Sequence, residues 1–132
     1  MFPNHINSPR EIVSITSSRR CNILKLSKDI EKAINSSREK HPNLMLEVEA
    51  DNEEQAIEIA KCGADRVMLD NFTPKEASET IKKLKQFSNI EVEISGGITI
   101  DNVACYAEHA DFISLGSLTM SSKPVDFSLH VI

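Results

Sequence analysis

Two carboxylates, a glycine pair and a lone glycine stand at four places in this sequence where a short apolar stretch breaks off. "LMLEVEA" carries Glu49, "RVMLD" ends in Asp70, "EVEISGG" runs into Ser95, Gly96 and Gly97, and "DFISLG" ends in Gly116. Adjacent glycines between a strand and a following helix let backbone N–H groups approach an anion closely, and the helix N-terminus adds partial positive charge. Phosphate suits such a turn. Carboxylates are poor phosphate ligands, but they suit sugar hydroxyls and Mg²⁺, which takes oxygen ligands and often shares them with substrate phosphates. Together the four places describe a site for a phosphorylated sugar, with Mg²⁺ as its cofactor. Each alone has a plainer use, since an Asp after a strand is commonly a turn residue and Gly-Gly commonly only a tight turn.

The elements that must bring these residues together follow from the pattern between them. In "EVEIS", Val92 and Ile94 point one way and Glu91, Glu93 and Ser95 the other, which predicts a strand ending near Ser95. After Glu49, Asn52 can cap a helix with Gln55 three residues on, an apolar stripe of Ala56, Ile57, Ile59 and Ala60, and Gly63 where φ > 0 closes it. After Asp70, Thr73, Pro74 and Glu76 form a capping box for a helix running to about Phe87. After Gly97, Thr99 or Asp101 can cap a short helix carrying Val103, Tyr106 and Ala107. An earlier helix, from about Lys28 to Lys40, presents Ile30, Ala33 and Ile34 on one face.

Short apolar strands alternating with helices indicate parallel βα units. The strand ends fall at residues 49, 70, 95 and 116, so 21 to 25 residues separate them. That regularity favours an α/β barrel or a piece of one, where residues at the C-terminal strand ends converge on a single face and build the active site. Half a barrel is expected to be marginally stable, with unpaired strand edges and an apolar inner face open to water.

Composition bounds the rest. The chain has 132 residues, 40% of them hydrophobic, enough for one domain with a real core. Fifteen Lys and Arg against twenty Asp and Glu give a net charge of −5, and with one Tyr, five Phe and no Trp there is no footprint for nucleic acid. Cys21, Cys62 and Cys105 are odd in number and widely spaced, which fits reduced thiols in an intracellular, cytoplasmic protein. The four histidines have no partner at metal-ligand spacing. No apolar run is long enough for a membrane span, and the first residues lack a secretory apolar core. The Ser- and Arg-containing opening is compatible with a transit peptide, while its alternation "EIVSI" equally suggests a strand.

Read together, "LEVEADNEEQAIEIAKCGADRVMLDNFTP", "EISGGITIDNVACYA" and "DFISLGSLTMSSKPVDFSLHVI" closely resemble the C-terminal part of quinolinate phosphoribosyltransferase. The resemblance divides the chain into an unmatched segment, 1–26, and a barrel portion, 27–132. It implies parallel βα units forming the C-terminal half of an α/β (TIM-like) barrel. In the family that barrel, with an N-terminal domain, transfers phosphoribose from phosphoribosyl pyrophosphate to quinolinate, and loss of CO₂ and pyrophosphate gives nicotinate mononucleotide for NAD biosynthesis. Carried over, Glu49 and Asp70 match the carboxylates near the ribose and its Mg²⁺, in catalytic and metal-binding roles. Ser95, Gly96, Gly97 and Gly116 match the loops around the 5′-phosphate.

Two departures stand out. Met120 takes the place of a polar residue after "LT", and Arg20-Cys21-Asn22-Ile23 falls where the family has Lys-Asp-Asn-His, unless "PNHIN" at residues 3–7 is that motif displaced. Family members are longer, and the part without a counterpart here supplies most of the basic residues that hold quinolinate. The resemblance therefore implies a partial enzyme, inactive alone, with quinolinate and phosphoribosyl pyrophosphate as small-molecule partners and a homo-oligomer as the full-length state. The alternative is a non-catalytic phosphate-sugar binding or subunit-interaction fragment.

Overall fold

A computed structural model describes residues 11–15 and 27–116. Arg20 to Ile23, Met120, Cys21, the "PNHIN" segment and the closing "DFSL" lie outside the described residues. The chain runs β1 (Ile12–Ile15), α1 (Ser27–Lys40), β2 (Met45–Ala50), α2 (Glu53–Lys61), β3 (Arg66–Asp70), α3 (Pro74–Phe87), β4 (Glu91–Ser95), a 3-10 turn (Val103–Cys105) and β5 (Phe112–Ile113). The "EIVSI" alternation is thus a strand. All neighbouring strands pair in parallel, in the order β1-β2-β3-β4-β5. Parallel strands placed in chain order by right-handed crossovers wind in one direction only, which puts the connecting helices on one face, as in a barrel.

Local signals explain the helices. Asn52 Oδ1 accepts the Gln55 amide at 2.9 Å to start α2, and Gly63 follows its end at φ +83°. In α3 the capping box closes both ways: the Glu76 amide donates to Thr73 Oγ1 at 3.3 Å, and the Thr73 amide donates to Glu76 Oε2 at 2.9 Å. Each such cap contributes about 1 kcal/mol. The helix expected after Gly97 is a correction. Only one 3-10 turn forms, and neither Thr99 nor Asp101 caps it. Instead Asn102 Oδ1 accepts the Thr99 amide at 2.8 Å, and its Nδ2 donates to the Gly97 carbonyl at 3.1 Å. An asparagine folding back on its own loop competes with helix propagation.

Strand alternation divides the sheet into an apolar and a charged face. Leu46, Val48, Ala50, Val67, Leu69, Val92 and Ile94 are each 2% exposed or less and pack under Ile34, Ile59, Ile81 and Leu84 of the helices. Fully burying such a side chain contributes about 1.5–3 kcal/mol. Two aspartates recur as braces: Asp65, just before β3, accepts the Leu46 amide at 2.7 Å, and Asp111, just before β5, accepts the Val92 amide at 2.8 Å. Both sit in an Ala-Asp pair, 64–65 and 110–111, so β3 and β5 are hooked to the strands before them in the same way. The last strand is shorter than its sequence, ending at Ile113 with Gly116 three residues beyond. Among the described residues, no helix is long and apolar enough to cross a membrane, and Cys62 and Cys105 are free thiols.

The opposite face is not the apolar surface expected of half a barrel. Arg66, 8% exposed, reaches across three strands. Its Nη1 donates to Glu93 at 3.2 Å and Glu47 at 3.4 Å, and its Nε and Nη2 donate to Glu91 at 3.1 and 2.8 Å. The guanidinium also lies 3.8 Å from the centre of the Phe112 ring. Ser14 donates to Glu47 at 3.1 Å and Ser114 donates to Glu93. The reason is positional: Glu47, Arg66 and Glu91 pair directly in register, so their side chains must share one face.

Burial pushes the Glu47 carboxyl above its ordinary value and Glu93 beside it adds to the rise, while Ser14 and Arg66 oppose it. An acid raised on folding contributes its stability below the unfolded value of 4.5 and loses it as pH rises through the folded one. Glu47→Gln should therefore flatten the decline in stability above about pH 4.5. Arg66→Met should cost about 3 kcal/mol near neutral pH, because removing one partner strands buried charges, with the loss shrinking in acid as the carboxyls neutralise. Urea unfolding across pH checks both; a small, pH-independent loss for Arg66→Met would contradict the charge account.

Candidate functional site

Because every strand is parallel, the segments after β2, β3, β4 and β5 all emerge at one edge. Glu49 lies opposite Met68 in the ladder and Asp70 opposite Ser95, so Glu49, Asp70 and Ser95 share the charged face. One carboxylate oxygen from each of Glu49, Asp51 and Asp70 lies within 4.8 Å of the other two. That is little more than the separation of about 4.2 Å between opposite oxygens around Mg²⁺. The donor set is all carboxylate oxygen, the ligand type a hard divalent cation prefers. Asp51 was not among the residues singled out from the sequence. It stands one position past the end of β2, and its side of the strand, shared with Glu47 and Glu49, was the available signal.

The glycine turn forms a second group. Ser95, Gly96, Gly97 and Gly116 line a pocket of about 370 Å³ together with Ile98, Thr99 and Ser114. The two groups are neighbours rather than one cavity, joined through the Asp70–Ser95 pair and a 2.9 Å bond from the Asn71 amide to the Ser95 carbonyl. The glycines differ in what requires them. Gly96 has φ +86°, and a Cβ there would lie 2.5 Å from Asn71 Oδ1 and 2.8 Å from the Asn71 amide nitrogen. Gly97 has φ +65° and open space where its Cβ would be. Gly96 is thus a packing requirement, while Gly97 faces the pocket's free volume.

The structure withdraws one support for anion binding at this turn. A three-residue 3-10 turn lacks an aligned stack of peptide dipoles, so the positive helix end expected after Gly97 is not there. The described lining also has no basic side chain. What remains is backbone and hydroxyl: among the described residues no hydrogen bond engages the Gly97 or Ile98 amide, and Ser95, Thr99 and Ser114 offer hydroxyl groups. A larger cavity, about 570 Å³, opens at the opposite edge beside Arg38, but that guanidinium is held by Asp65 at 2.7 Å and the Gly63 carbonyl at 3.0 Å.

The quinolinate phosphoribosyl transferase C-terminal domain model matches residues 11–130. The chain belongs to that family. The match takes in β1 and spans every described element. The human nicotinate-nucleotide pyrophosphorylase (carboxylating) is 44% identical over 105 residues, covering 77% of this chain and 35% of the relative. The probable enzyme of that name from Methanothermobacter thermautotrophicus is 40% identical over 90 residues, covering 65% and 32%. Among solved structures, NadC from Streptococcus pyogenes superposes with a TM-score of 0.73 at 29% identity, over 89% of this chain and 40% of that one. A thiamine phosphate pyrophosphorylase from Pyrococcus furiosus shares the fold, with a TM-score of 0.60 at 24% identity, over 86% and 52%. The described sheet is therefore part of the C-terminal half of an α/β barrel. The chain spans about a third of the length of the curated relatives it matches.

The two glycine roles are separable by substitution. Gly96→Ala should cost more than about 2 kcal/mol, adding a steric clash to the strain of positive φ, whereas Gly97→Ala should cost only about 1 kcal/mol for the strain alone. Equal losses in denaturant unfolding would show that Asn71 does not pack against Gly96 as described.

Proposed function

We propose that this chain is the ribose-phosphate and cation-binding portion of a nicotinate-nucleotide pyrophosphorylase (carboxylating). The observation that carries the reading is the pairing of Asp70 with Ser95 at the C-terminal strand edge, which places a carboxylate cluster directly beside a glycine turn. In this reading Glu49 and Asp70, joined by Asp51, hold Mg²⁺ and orient the ribose hydroxyls of phosphoribosyl pyrophosphate. The Ser95–Gly97 turn and Gly116 receive the 5′-phosphate through backbone and hydroxyl donors. When bound, the cation neutralises charge on the departing pyrophosphate. The protein groups hold the anomeric carbon in a fixed orientation for attack by quinolinate and stabilise positive charge developing on the ribose. Decarboxylation then yields nicotinate mononucleotide.

The same geometry supports a narrower second reading, a phosphate-sugar binding portion without turnover. The described pocket contributes no basic side chain toward a dicarboxylate, and the curated relatives extend well beyond the matched region. Both readings place phosphoribosyl pyrophosphate at this edge and differ over quinolinate.

Calorimetric titration is expected to show weak, Mg²⁺-dependent binding of phosphoribosyl pyrophosphate, no binding of quinolinate, and no nicotinate mononucleotide from this chain alone. Gly97→Val should abolish phosphoribosyl pyrophosphate binding, because a β-branched side chain opposes φ +65° and fills the approach to the backbone amides. Joining the chain to the upstream region of a full-length relative should give turnover that Asp70→Ala removes. Tight quinolinate binding by this chain would misplace the acceptor site, and an absence of phosphoribosyl pyrophosphate binding would overturn both readings.

A further inference from the structure

One residue at this edge touches both groups. Asn71 follows Asp70 directly and adopts φ +57°, a left-handed conformation that Asn tolerates better than most residues. Its Nδ2 donates to Asp70 Oδ2 at 2.6 Å. A carboxylate only accepts, so the amide nitrogen faces Asp70 and the amide oxygen is turned toward Gly96, where it occupies the space a Cβ would need. The Asn71 main-chain amide meanwhile donates to the Ser95 carbonyl at 2.9 Å. One residue therefore fixes an oxygen of the carboxylate, packs on the turn and bonds to the strand end that carries it.

We propose that Asn71 is a positioning residue that couples the Asp70 carboxylate to the Ser95–Gly97 turn, so that a divalent cation and a sugar phosphate bind here cooperatively. This rests on the ribose-phosphate reading above. With Oδ2 satisfied by Asn71, the Asp70 carboxylate is held in one rotamer, leaving Oδ1 to meet a cation or a ribose hydroxyl. A shift of Asp70 toward a cation moves the amide it bonds, and the amide oxygen bears on Gly96. Hydrogen-bonded partners of metal-ligating carboxylates typically contribute about 10–100-fold in affinity. The left-handed backbone also explains why an asparagine serves: a longer side chain would overrun Gly96, and most other residues would strain at this φ.

Asn71→Gly isolates the side chain, since glycine keeps the positive φ and the main-chain bond to Ser95. The probes are Mn²⁺, followed by electron paramagnetic resonance, and ribose 5-phosphate, followed by calorimetry with and without Mn²⁺, on the whole chain. The unsubstituted chain should bind ribose 5-phosphate about tenfold tighter with Mn²⁺ present, within the usual range of site coupling. In Asn71→Gly both affinities should fall about tenfold, and the enhancement by Mn²⁺ should shrink toward none while the thermal melt is preserved. A merely structural role would lower the melt and leave the enhancement intact. If the unsubstituted chain binds neither probe, the ribose-phosphate reading fails and takes this proposal with it. If it binds both and Asn71→Gly retains the enhancement, only the role of Asn71 is overturned. Should Asn71→Gly fail to fold, a Mg²⁺ titration of the unsubstituted chain by amide NMR decides. The Asn71 side-chain amide and the Gly96 and Gly97 backbone amides should shift with one midpoint, and shifts that spare the glycines would overturn the coupling.

Discussion

Parallel pairing in chain order is the constraint on which everything else in this fold depends. A strand that must be followed by a parallel neighbour sends the chain back through a crossover, so every strand begins at one edge and ends at the other. Residues far apart in sequence are thereby collected without any contact of their own. Glu49, Asp70 and Ser95 meet because they lie near the ends of three consecutive parallel strands, with Asp70 directly opposite Ser95. The aspartate braces at Asp65 and Asp111 tighten the arrangement by tying the entries of β3 and β5 to amides of the strands before them.

The second consequence of that register is electrostatic. With the buried apolar residues of β2, β3 and β4 committed to the helices, the alternate positions stack Glu47, Glu91 and Glu93 around Arg66 on the other face. Glu47 and Glu93 are buried and Glu91 is half-buried, so their carboxylates would repel one another, and the guanidinium offsets that repulsion through several geometrically fixed donors that a lysine could not supply. This layer lies immediately below Glu49, Asp70 and Ser95, and it holds rigid the strands from which the site projects. Burial and charge here govern how the strand ends are supported, while the strand ends themselves remain polar and accessible.

Much of this was legible in the residues. The helix caps at Asn52 and Thr73 announced α2 and α3 because side chains bonding to nearby amides leave a local pattern. The alternation in "EVEIS" and the recurrence of strand ends announced the parallel sheet, and Glu49, Asp70 and the glycine turn emerge on one edge as their spacing implied. What was not legible depended on contacts between distant residues. The loop after Gly97 carried helix-like apolar spacing, but Asn102 bonds to Thr99 and Gly97 and leaves a single 3-10 turn. Gly96 looked like a phosphate-binding glycine, yet its missing side chain accommodates Asn71, across the Asp70–Ser95 pair. Half a barrel suggested an exposed apolar face. Only the pairing of Glu47, Arg66 and Glu91 across strands shows that it is a charge cluster.

The central claim is that the carboxylate cluster and the glycine turn act as one site at the C-terminal strand edge. Crystals of the whole chain grown with Mn²⁺ and ribose 5-phosphate, with data collected at the manganese absorption edge, test it most directly. The account predicts one anomalous peak among the Glu49, Asp51 and Asp70 carboxylates, with the sugar phosphate against Gly97 and Gly116 in the adjoining pocket. Manganese remote from Glu49 and Asp70, or the phosphate seated at the opposite edge beside Arg38, would contradict it.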